Sequence, residues 1–266
     1  MPLNGKRRNY RKKRGVKKTY KKRANLTLAT KRYIKRTIHS QIENKTETDR
    51  QIGQVITSYN ISPTLWTESM IPYVNIPQGT GQGERIGNVI RTMKCVFKYV
   101  LYPAPYSVAL NPIPLPNEVM VFFGKVKNSR AQQPVASDYA RLFQSGETTL
   151  APTSQLMDLI LDINKDWWTI YKVFRHKIGR SITTGTGNNI AASYYANNDF
   201  KLNVVKSVNL TKHCPKLVRF NDGTSQPTND GLWAFAMCVN ADGSFSNFNQ
   251  APVAMDYSIH YSYEDA

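Results

Sequence analysis

The stretch that decides the fold is MDYSIHYSY at Met255–Tyr263. Its odd-numbered positions hold Met, Tyr, Ile, Tyr and Tyr, whereas its even-numbered positions hold Asp, Ser, His and Ser. Successive side chains of a β-strand point to opposite faces, so a strict period of two predicts a strand with one face buried and the other in water. The chain is therefore expected to build its core from β-sheets.

The same alternation extends outward from this strand through the body of the chain. Residues 89–101 repeat it, with Arg91 as the exception, and the proline cluster at 103–116 predicts a long loop after them. Further strands are predicted at 47–57, 118–127, 168–182, 201–212 and 231–239. Short inserted helices are predicted at Ser137–Phe143 and Ser154–Ile163, the second opened by proline and hydroxyl residues.

About eight strands separated by loops rich in Asn, Gly, Ser and Pro are typical of a two-sheet sandwich. Roughly 220 residues remain after the basic start of the chain, a usual length for one such domain. The prediction is an all-β fold, a single eight-stranded antiparallel jelly-roll sandwich with short inserted helices and a basic N-terminal arm.

The arm is defined by its charge. The first 42 residues carry sixteen Lys and Arg and no Asp or Glu, while the remaining residues hold twenty basic and eighteen acidic side chains. Such a segment repels itself and buries nothing, so it is expected to be disordered until a polyanion neutralises it. From about Thr27, the apolar positions Ile34, Ile38 and Ile42 at intervals of four predict a basic amphipathic helix. Residues 1–45 are thus predicted to be an arm and residues 46–266 the jelly-roll domain.

Nucleic acid is the expected partner of the arm. Lysine and arginine that neutralise phosphates release condensed counterions, which gives strong, salt-sensitive binding without sequence preference. A solvated tail, a nuclear targeting signal and a membrane-surface helix are the alternative interpretations of this charge. The predicted nucleic-acid-binding residues are Lys6, Arg7, Arg8, Arg11, Lys12, Lys13, Arg14, Lys17, Lys18, Lys21, Lys22, Arg23, Lys31, Arg32, Lys35 and Arg36.

The sequence contains no motif from which we predict catalysis or cofactor binding. The glycine-rich stretch 78–88 lacks the Gly-Lys-Ser/Thr ending of a phosphate-binding loop and opens a strand rather than a helix, so it is interpreted as a turn. His213 and Cys214 would point to opposite faces of a strand and cannot easily act as a pair. The prediction is no catalytic constellation, no cofactor and no metal, although an enzyme built from distant carboxylates stays an alternative.

Three further features complete the sequence-based predictions. Asp158, Asp162 and Asp166 recur every four residues and are interpreted as a solvated stripe on a helix, with cation binding left open. The odd number of cysteines, without Cys-x-x-Cys spacing, predicts buried free thiols. No apolar stretch approaches the roughly 20 residues of a membrane span, so no membrane insertion is expected.

Three features of the layout occur together: the Lys/Arg/Tyr-rich start, the turn from Gln78-Gly79-Thr80 to Arg85-Ile86-Gly87-Asn88 that leads into a strand, and the alternating tyrosines that close at Tyr263-Glu264-Asp265. In this layout the chain resembles the capsid proteins of small circular single-stranded DNA viruses, the circovirus-like group and its environmental relatives. Coats of satellite viruses with RNA genomes are similar, so the genome type stays open between DNA and RNA.

The resemblance implies one jelly roll per subunit and a small icosahedral T=1 shell of about 60 copies with inward-pointing arms. Roughly 960 arm charges would then balance on the order of 1,000 nucleotides, and with overcharging about 1 to 2 kilobases. The implied partners are a viral genome of single-stranded DNA, further copies of the chain, host nuclear import factors and a cell-surface receptor. The implied locations are the virion and, during assembly, the host nucleus.

Within such a shell, the loops 103–117, 184–199 and 221–230 are expected to face outward or to line subunit contacts. The tryptophans Trp66, Trp167, Trp168 and Trp233 are candidates for core or interface anchors. A cellular, ribosome-associated type of nucleic-acid-binding protein with a β-sandwich domain is the alternative function. A β-sandwich hydrolase is the third class considered.

Overall fold

A computed structural model describes residues 27–41, 44–56, 71–72, 75–104, 115–127, 134, 136–179, 200–228, 232–243 and 252–265. The helices are α1 (Leu28–Gln41), α2 (Ala136–Tyr139) and a 3-10 helix (Leu156–Leu159). The strands are β1 (Asn44–Ile56), β2 (Ile71–Pro72), β3 (Val89–Pro103), β4 (Asn117–Val126), β5 (Phe143–Ser145), β6 (Thr148–Leu150), β7 (Asp162–Ile163), β8 (Trp168–Ile178), β9 (Val204–Asn209), β10 (Leu217–Arg219), β11 (Trp233–Asn240) and β12 (Val253–Asp265).

The chain divides into two compact units, Met1–Gln41 and Ile42–Ala266. In the first unit, α1 occupies the segment over which the four-residue spacing predicts a helix. Thr27 begins it in the manner of an N-cap, because its hydroxyl accepts the backbone N–H of Thr30 at 3.2 Å. The helix has no acidic residue in its first turn. Residues 1–26, which hold most of the arm, lie outside the described residues.

In the second unit, the strands pair in a nested order. The first strand pairs with the last, β1 with β12. Moving inward along the chain, β2 pairs with β11, β3 with β9 and β4 with β8, all antiparallel. Two sheets result, one in the order β1-β12-β3 with β9 and β10 also on β3, the other in the order β2-β11-β4-β8. Nested antiparallel pairs spread over two sheets define a jelly-roll sandwich, as the sequence predicts.

The strand count is larger than predicted. The described residues form twelve strands, of which eight make the nested pairs. Three of the others, β5, β6 and β7, form a separate small sheet, and β10 adds a short partner to β3. Of the predicted strands, 201–212 is shorter, because the chain turns between Leu210 and Cys214 through backbone hydrogen bonds from His213 and Cys214 to the Leu210 carbonyl.

The alternation of Met255–Tyr263 is confirmed in β12, the strand between β1 and β3. Tyr257, Ile259 and Tyr261 are buried in the core between the sheets, whereas His260 is exposed. A register shift lies between Ser262 and Tyr263, after which both Tyr263 and Glu264 are buried. The strict period of two ends at this irregularity.

A second core lies on the other side of the second sheet. On β4, Val119 and Val121 face the core between the sheets, while Met120 and Phe122 join a separate cluster with Tyr139, Leu142, Phe143 and Trp168. The segment that contains α2, β5, β6 and β7 supplies much of that cluster, so it covers the outward face of the second sheet. This is why every residue of β11 is buried.

The tryptophans divide between the core and its border. Trp168 and Trp233 are buried members of the second cluster, and Trp167 packs against it while partly exposed. Trp167 donates its ring N–H to Asp138 at 3.0 Å, and Trp168 donates to the Asp138 carbonyl at 3.0 Å. Trp66 and most of the loops predicted at 103–117 and 184–199 lie outside the described residues.

The two inserted helices are shorter than predicted, and the carboxylate stripe at Asp158, Asp162 and Asp166 is not formed. Asp162 lies in β7 and Asp166 in a turn, while the 3-10 helix is only four residues long. Asp158 is fully buried and accepts hydrogen bonds from Thr153 N at 2.7 Å and Ser154 N at 2.6 Å. Burial raises the pKa of Asp158, while these bonds to its oxygens lower it. The interpretation of Asp158 as solvated was wrong, because its carboxylate organises the turn from within.

The three cysteines are buried free thiols, as the sequence predicts. Burial raises the pKa of Cys238 to about 12. The pKa of Cys95 is also raised, first by its hydrogen bond with Cys214 and then by burial. Because the thiolate is the reactive form, we expect Cys95 and Cys238 to resist a maleimide at about pH 8 until denaturant is added. Mass spectrometry of labelled peptides checks this, and fast labelling of either cysteine in the native protein would contradict it.

Candidate nucleic-acid interface

Few of the predicted nucleic-acid-binding residues lie in the described part of the chain. The side chains of Lys31 and Arg32 are exposed on α1. Lys35 and Arg36 belong to α1 by backbone, and their side chains lie outside the described residues. The other twelve predicted residues, from Lys6 to Arg23, lie outside them as well. The role of the arm therefore stays a prediction.

In the glycine-rich stretch 78–88, a backbone N–H group binds a carboxylate of the same stretch. Gly81 N donates a hydrogen bond to a carboxylate oxygen of Glu84 at 2.7 Å. A Cβ added at Gly79 would approach the same carboxylate to 2.1 Å, so glycine is needed for Glu84 to fold over the loop. The Gly81 N–H is thus bound by the chain's own carboxylate, and the stretch acts as a turn that leads into β3.

Arg85, within this turn, is a structural residue. Its side chain is 0% exposed, and its guanidinium lies 4.3 Å from the centre of the Phe220 ring. It donates to the Gly87 carbonyl at 2.7 Å and to the Asn88 side chain at 3.0 Å. Burial lowers its pKa, opposed by nearby carboxylates. The cation is therefore enclosed by the protein and is not offered to a nucleic acid.

The Arg85 side chain also forms hydrogen bonds with a loop that is distant in the sequence. Its second terminal nitrogen donates to the carbonyls of Asn221 at 3.0 Å and Thr224 at 2.6 Å. A side-chain hydrogen bond from Asn88 to Asp222 joins the same two segments. One buried side chain thereby fixes the turn before β3 to the loop after β10.

The C-terminal end of β12 forms hydrogen bonds with the same turn. The Asp265 carboxylate accepts the backbone N–H groups of Ile86 at 2.6 Å and Gly87 at 3.2 Å. Lys45, which is 1% exposed, contacts Asp265 at 3.3 Å and donates to the Glu84 carbonyl at 2.9 Å. Sequence reasoning did not assign a role to Lys45, Arg85 or Asp265, because their partners lie far away in the chain.

Two histidines lie near the border between the sheets. His176 shares a hydrogen bond with the Tyr99 hydroxyl at 2.8 Å, and its pKa is lowered by burial and by Lys206. His213 stacks on Tyr171 with ring centres 4.5 Å apart, and its pKa is lowered by burial and by Lys172 and Lys212. In the folded protein, burial and the neighbouring lysines therefore favour the neutral form of both histidines.

These histidines predict a loss of stability on acidification. Their folded-state pKa values lie below the ordinary 6.5, so the unfolded chain binds protons more readily. Their contribution to the free energy of unfolding is complete above pH 6.5 and is lost as the pH falls below it. Urea unfolding between about pH 6.5 and 5 should show this slope, and His176→Gln should reduce it. An identical slope in the variant would contradict the assignment to His176.

Other kinds of site find no support in the described part of the chain. There, no group of three or more His, Cys, Asp or Glu side chains is arranged to hold a metal ion. None of the helices described is long and apolar enough to cross a membrane.

Comparisons with known proteins give remote likenesses. No protein-family model matches the chain, and no curated protein matches it in sequence. The structure of PNGF-II covers 88% of this chain at 10% identity with a TM-score of 0.32, and this chain spans 37% of that one. The unassembled pentamer of Merkel cell polyomavirus VP1 covers 85% of this chain and 96% of its own at 10% identity, with a TM-score of 0.18. The fold assignment follows from the strand pairing of this chain itself.

Proposed function

We propose that this chain is a viral coat protein that assembles with copies of itself into a closed shell and packages nucleic acid through its basic arm. The proposal rests on one observation, which is that a single chain combines a jelly-roll body with a strongly basic segment. A jelly-roll body with twenty basic and eighteen acidic residues follows a segment of 42 residues with sixteen basic and no acidic ones. The body supplies a rigid building block, and the arm supplies the charge.

The charge distribution supports packaging rather than recognition of one sequence. Phosphate contacts by Lys and Arg give affinity without sequence information, which suits a coat that must cover a whole genome. Sixteen charges also exceed what a short nuclear targeting signal needs, although both roles can share the same residues.

Further details of the proposal follow from the resemblance to circovirus-like capsids. The shell would have T=1 symmetry with about 60 copies, and its genome of about 1 to 2 kilobases would be single-stranded DNA. Nuclear import factors would read the arm during assembly in the host nucleus, and exposed loops would meet a cell-surface receptor. The protein would act as a structural component and not as an enzyme.

Self-association separates the proposal from its alternative. Sedimentation velocity of the full chain, over a range of protein concentration and salt, should show a cooperative transition from small species to one large species, because a shell closes only when many weak contacts form together. A concentration-independent monomer that still binds nucleic acid would instead indicate a cellular nucleic-acid-binding protein. Nucleic-acid or glycan hydrolysis that survives purification would indicate the hydrolase.

A further inference from the structure

The two sheets differ in how their outward faces are covered. The segment from α2 to β7 packs over the second sheet. Among the described residues, the outward face of β1, β12 and β3 in the first sheet instead carries mostly polar side chains, interrupted on β3 by the half-buried Val96 and Val100. Thr46, Thr48, Lys94, Lys98 and His260 are exposed, and Ser262 is half-buried. We call this surface, defined by those six residues, the lysine face.

The strand register places these side chains in adjacent rows. Lys94 lies opposite Ser262, which lies opposite Thr46. In the next rows on the same face, His260 lies opposite Thr48, and Lys98 is separated from Arg50 only by Ser258. With strands about 4.8 Å apart and about 3.3 Å per residue, Lys94 and Lys98 lie about 13 Å apart, and Lys98 lies about 10 Å from Arg50 in backbone position. The cations form a spaced array in which a serine of β12 lies beside each lysine and Val96 lies between the two lysines.

The cations of this surface are not held in ion pairs. Within the described residues, no carboxylate lies at ion-pair distance from Lys94, Lys98 or Arg50. At one end, Asp256 accepts hydrogen bonds from Gly53 N at 2.7 Å and from the Tyr102 hydroxyl at 3.0 Å.

Other acids lie near the lysine face, among them Asp49, which stands on β1 between Thr48 and Arg50. At the other end of β12, Glu264 pairs with Arg91 at 3.1 Å. Glu47 lines a shallow depression of about 400 Å³, whose other lining includes Lys94, Lys98, His260 and Val96. The depression thus has a lysine on either side of a central row formed by Thr48, His260 and Val96, with further hydroxyl groups from Thr46 and Ser262.

We infer that the lysine face binds the sugar–phosphate backbone of nucleic acid as a second contact surface, separate from the arm. Lysine amines neutralise phosphates, and Ser and Thr hydroxyls donate to phosphate oxygens, which is the usual composition of a backbone contact. The inference rests on the proposed function only in taking nucleic acid as the partner. Its role would be to fix bound strands against the body, whereas the arm supplies bulk charge.

Chemical footprinting tests this inference on the full chain. Lysines are acetylated with and without an oligothymidylate of about 20 nucleotides, long enough to cover one site, and the modified peptides are measured by mass spectrometry. We expect Lys94 and Lys98 to be protected together with the arm lysines. Lys127 and Lys165, which are exposed but lie outside the first sheet, should react equally in both conditions and serve as internal controls.

Substitution tests the same point by affinity. The double variant Lys94→Gln/Lys98→Gln removes two phosphate contacts, so the slope of log affinity against log salt should fall by about 1.4 for a single strand. Affinity at about 0.1 M salt should then fall about 25-fold, and the difference should vanish near 1 M. The matched variant Lys127→Gln/Lys165→Gln has the same change of charge and should leave the slope unchanged.

The outcomes separate this inference from the proposed function. Protection of the arm without Lys94 and Lys98 would overturn the inference and leave packaging intact, whereas no protection anywhere would overturn both. Protection of Lys94 and Lys98 in shells free of nucleic acid would identify the lysine face as a contact between copies and would also overturn the inference. Equal salt slopes for the two double variants would do the same.

Discussion

Replacing the twelve Lys and Arg residues between Lys6 and Arg23 with Gln should abolish packaging of nucleic acid while the body stays folded. Each phosphate contact contributes about 0.7 to the salt slope for single strands, so removing most of the arm's charge eliminates the main source of affinity. The measurement is the nucleic-acid content of purified material, from the ratio of absorbance at two wavelengths and from nuclease protection.

The control for this experiment keeps the charge and changes its order. A chain in which residues 6–23 are shuffled, with the same twelve cations, should package as well as the original, because counterion release depends on charge and not on sequence. Loss of the thermal unfolding transition in the Gln-substituted chain would contradict the division into an arm and an independently folded body. Packaging that survives substitution would contradict the role of the arm.

Replacing Arg85 with Met should reduce the free energy of unfolding by about 3 to 5 kcal/mol. The substitution removes the donors that satisfy the carbonyls of Gly87, Asn221 and Thr224 and the cation above Phe220. Buried acceptors left without a partner cost more than the hydrogen bonds contribute on average. Urea unfolding at a concentration below assembly measures the change.

Arg141→Met is the matched control for Arg85→Met. Arg141 is exposed, and its guanidinium lies 4.2 Å from the centre of the Trp167 ring, so the same substitution removes a cation–π contact alone. We expect a cost of about 0.5 to 1 kcal/mol. Equal costs for the two variants would show that the hydrogen bonds of Arg85 do not hold the turn before β3 to the loop after β10.

The strands that are predicted best from the sequence are those with one buried face and one solvent-exposed face. In β12, water on one side and core on the other impose the alternation from Met255 to Tyr261. By contrast, β11 is buried on both faces. Its continuous run of apolar residues predicts a strand, but it does not indicate which part of the chain packs on the outward face of that strand. The sequence therefore predicted an insertion with short helices, but not that the insertion covers the second sheet and forms a second core with it.

Local sequence patterns also could not predict the interactions of charged residues whose partners are distant in the chain. Lys45 and Asp265 are 220 residues apart, and Arg85 and Thr224 are 139 apart. Asp158 shows the same limit at short range, because a spacing of four suggested a helix face where a buried carboxylate accepts backbone N–H groups. The lysine face likewise depends on a register between strands that are distant in the chain.

The most direct test of the central claim is negative-stain microscopy, combined with nuclease protection, on the largest species from size-exclusion chromatography of the full chain. The account predicts uniform closed shells that protect nucleic acid of about 1 to 2 kilobases. A monomer that binds nucleic acid but forms no shell at any salt concentration or pH would contradict it.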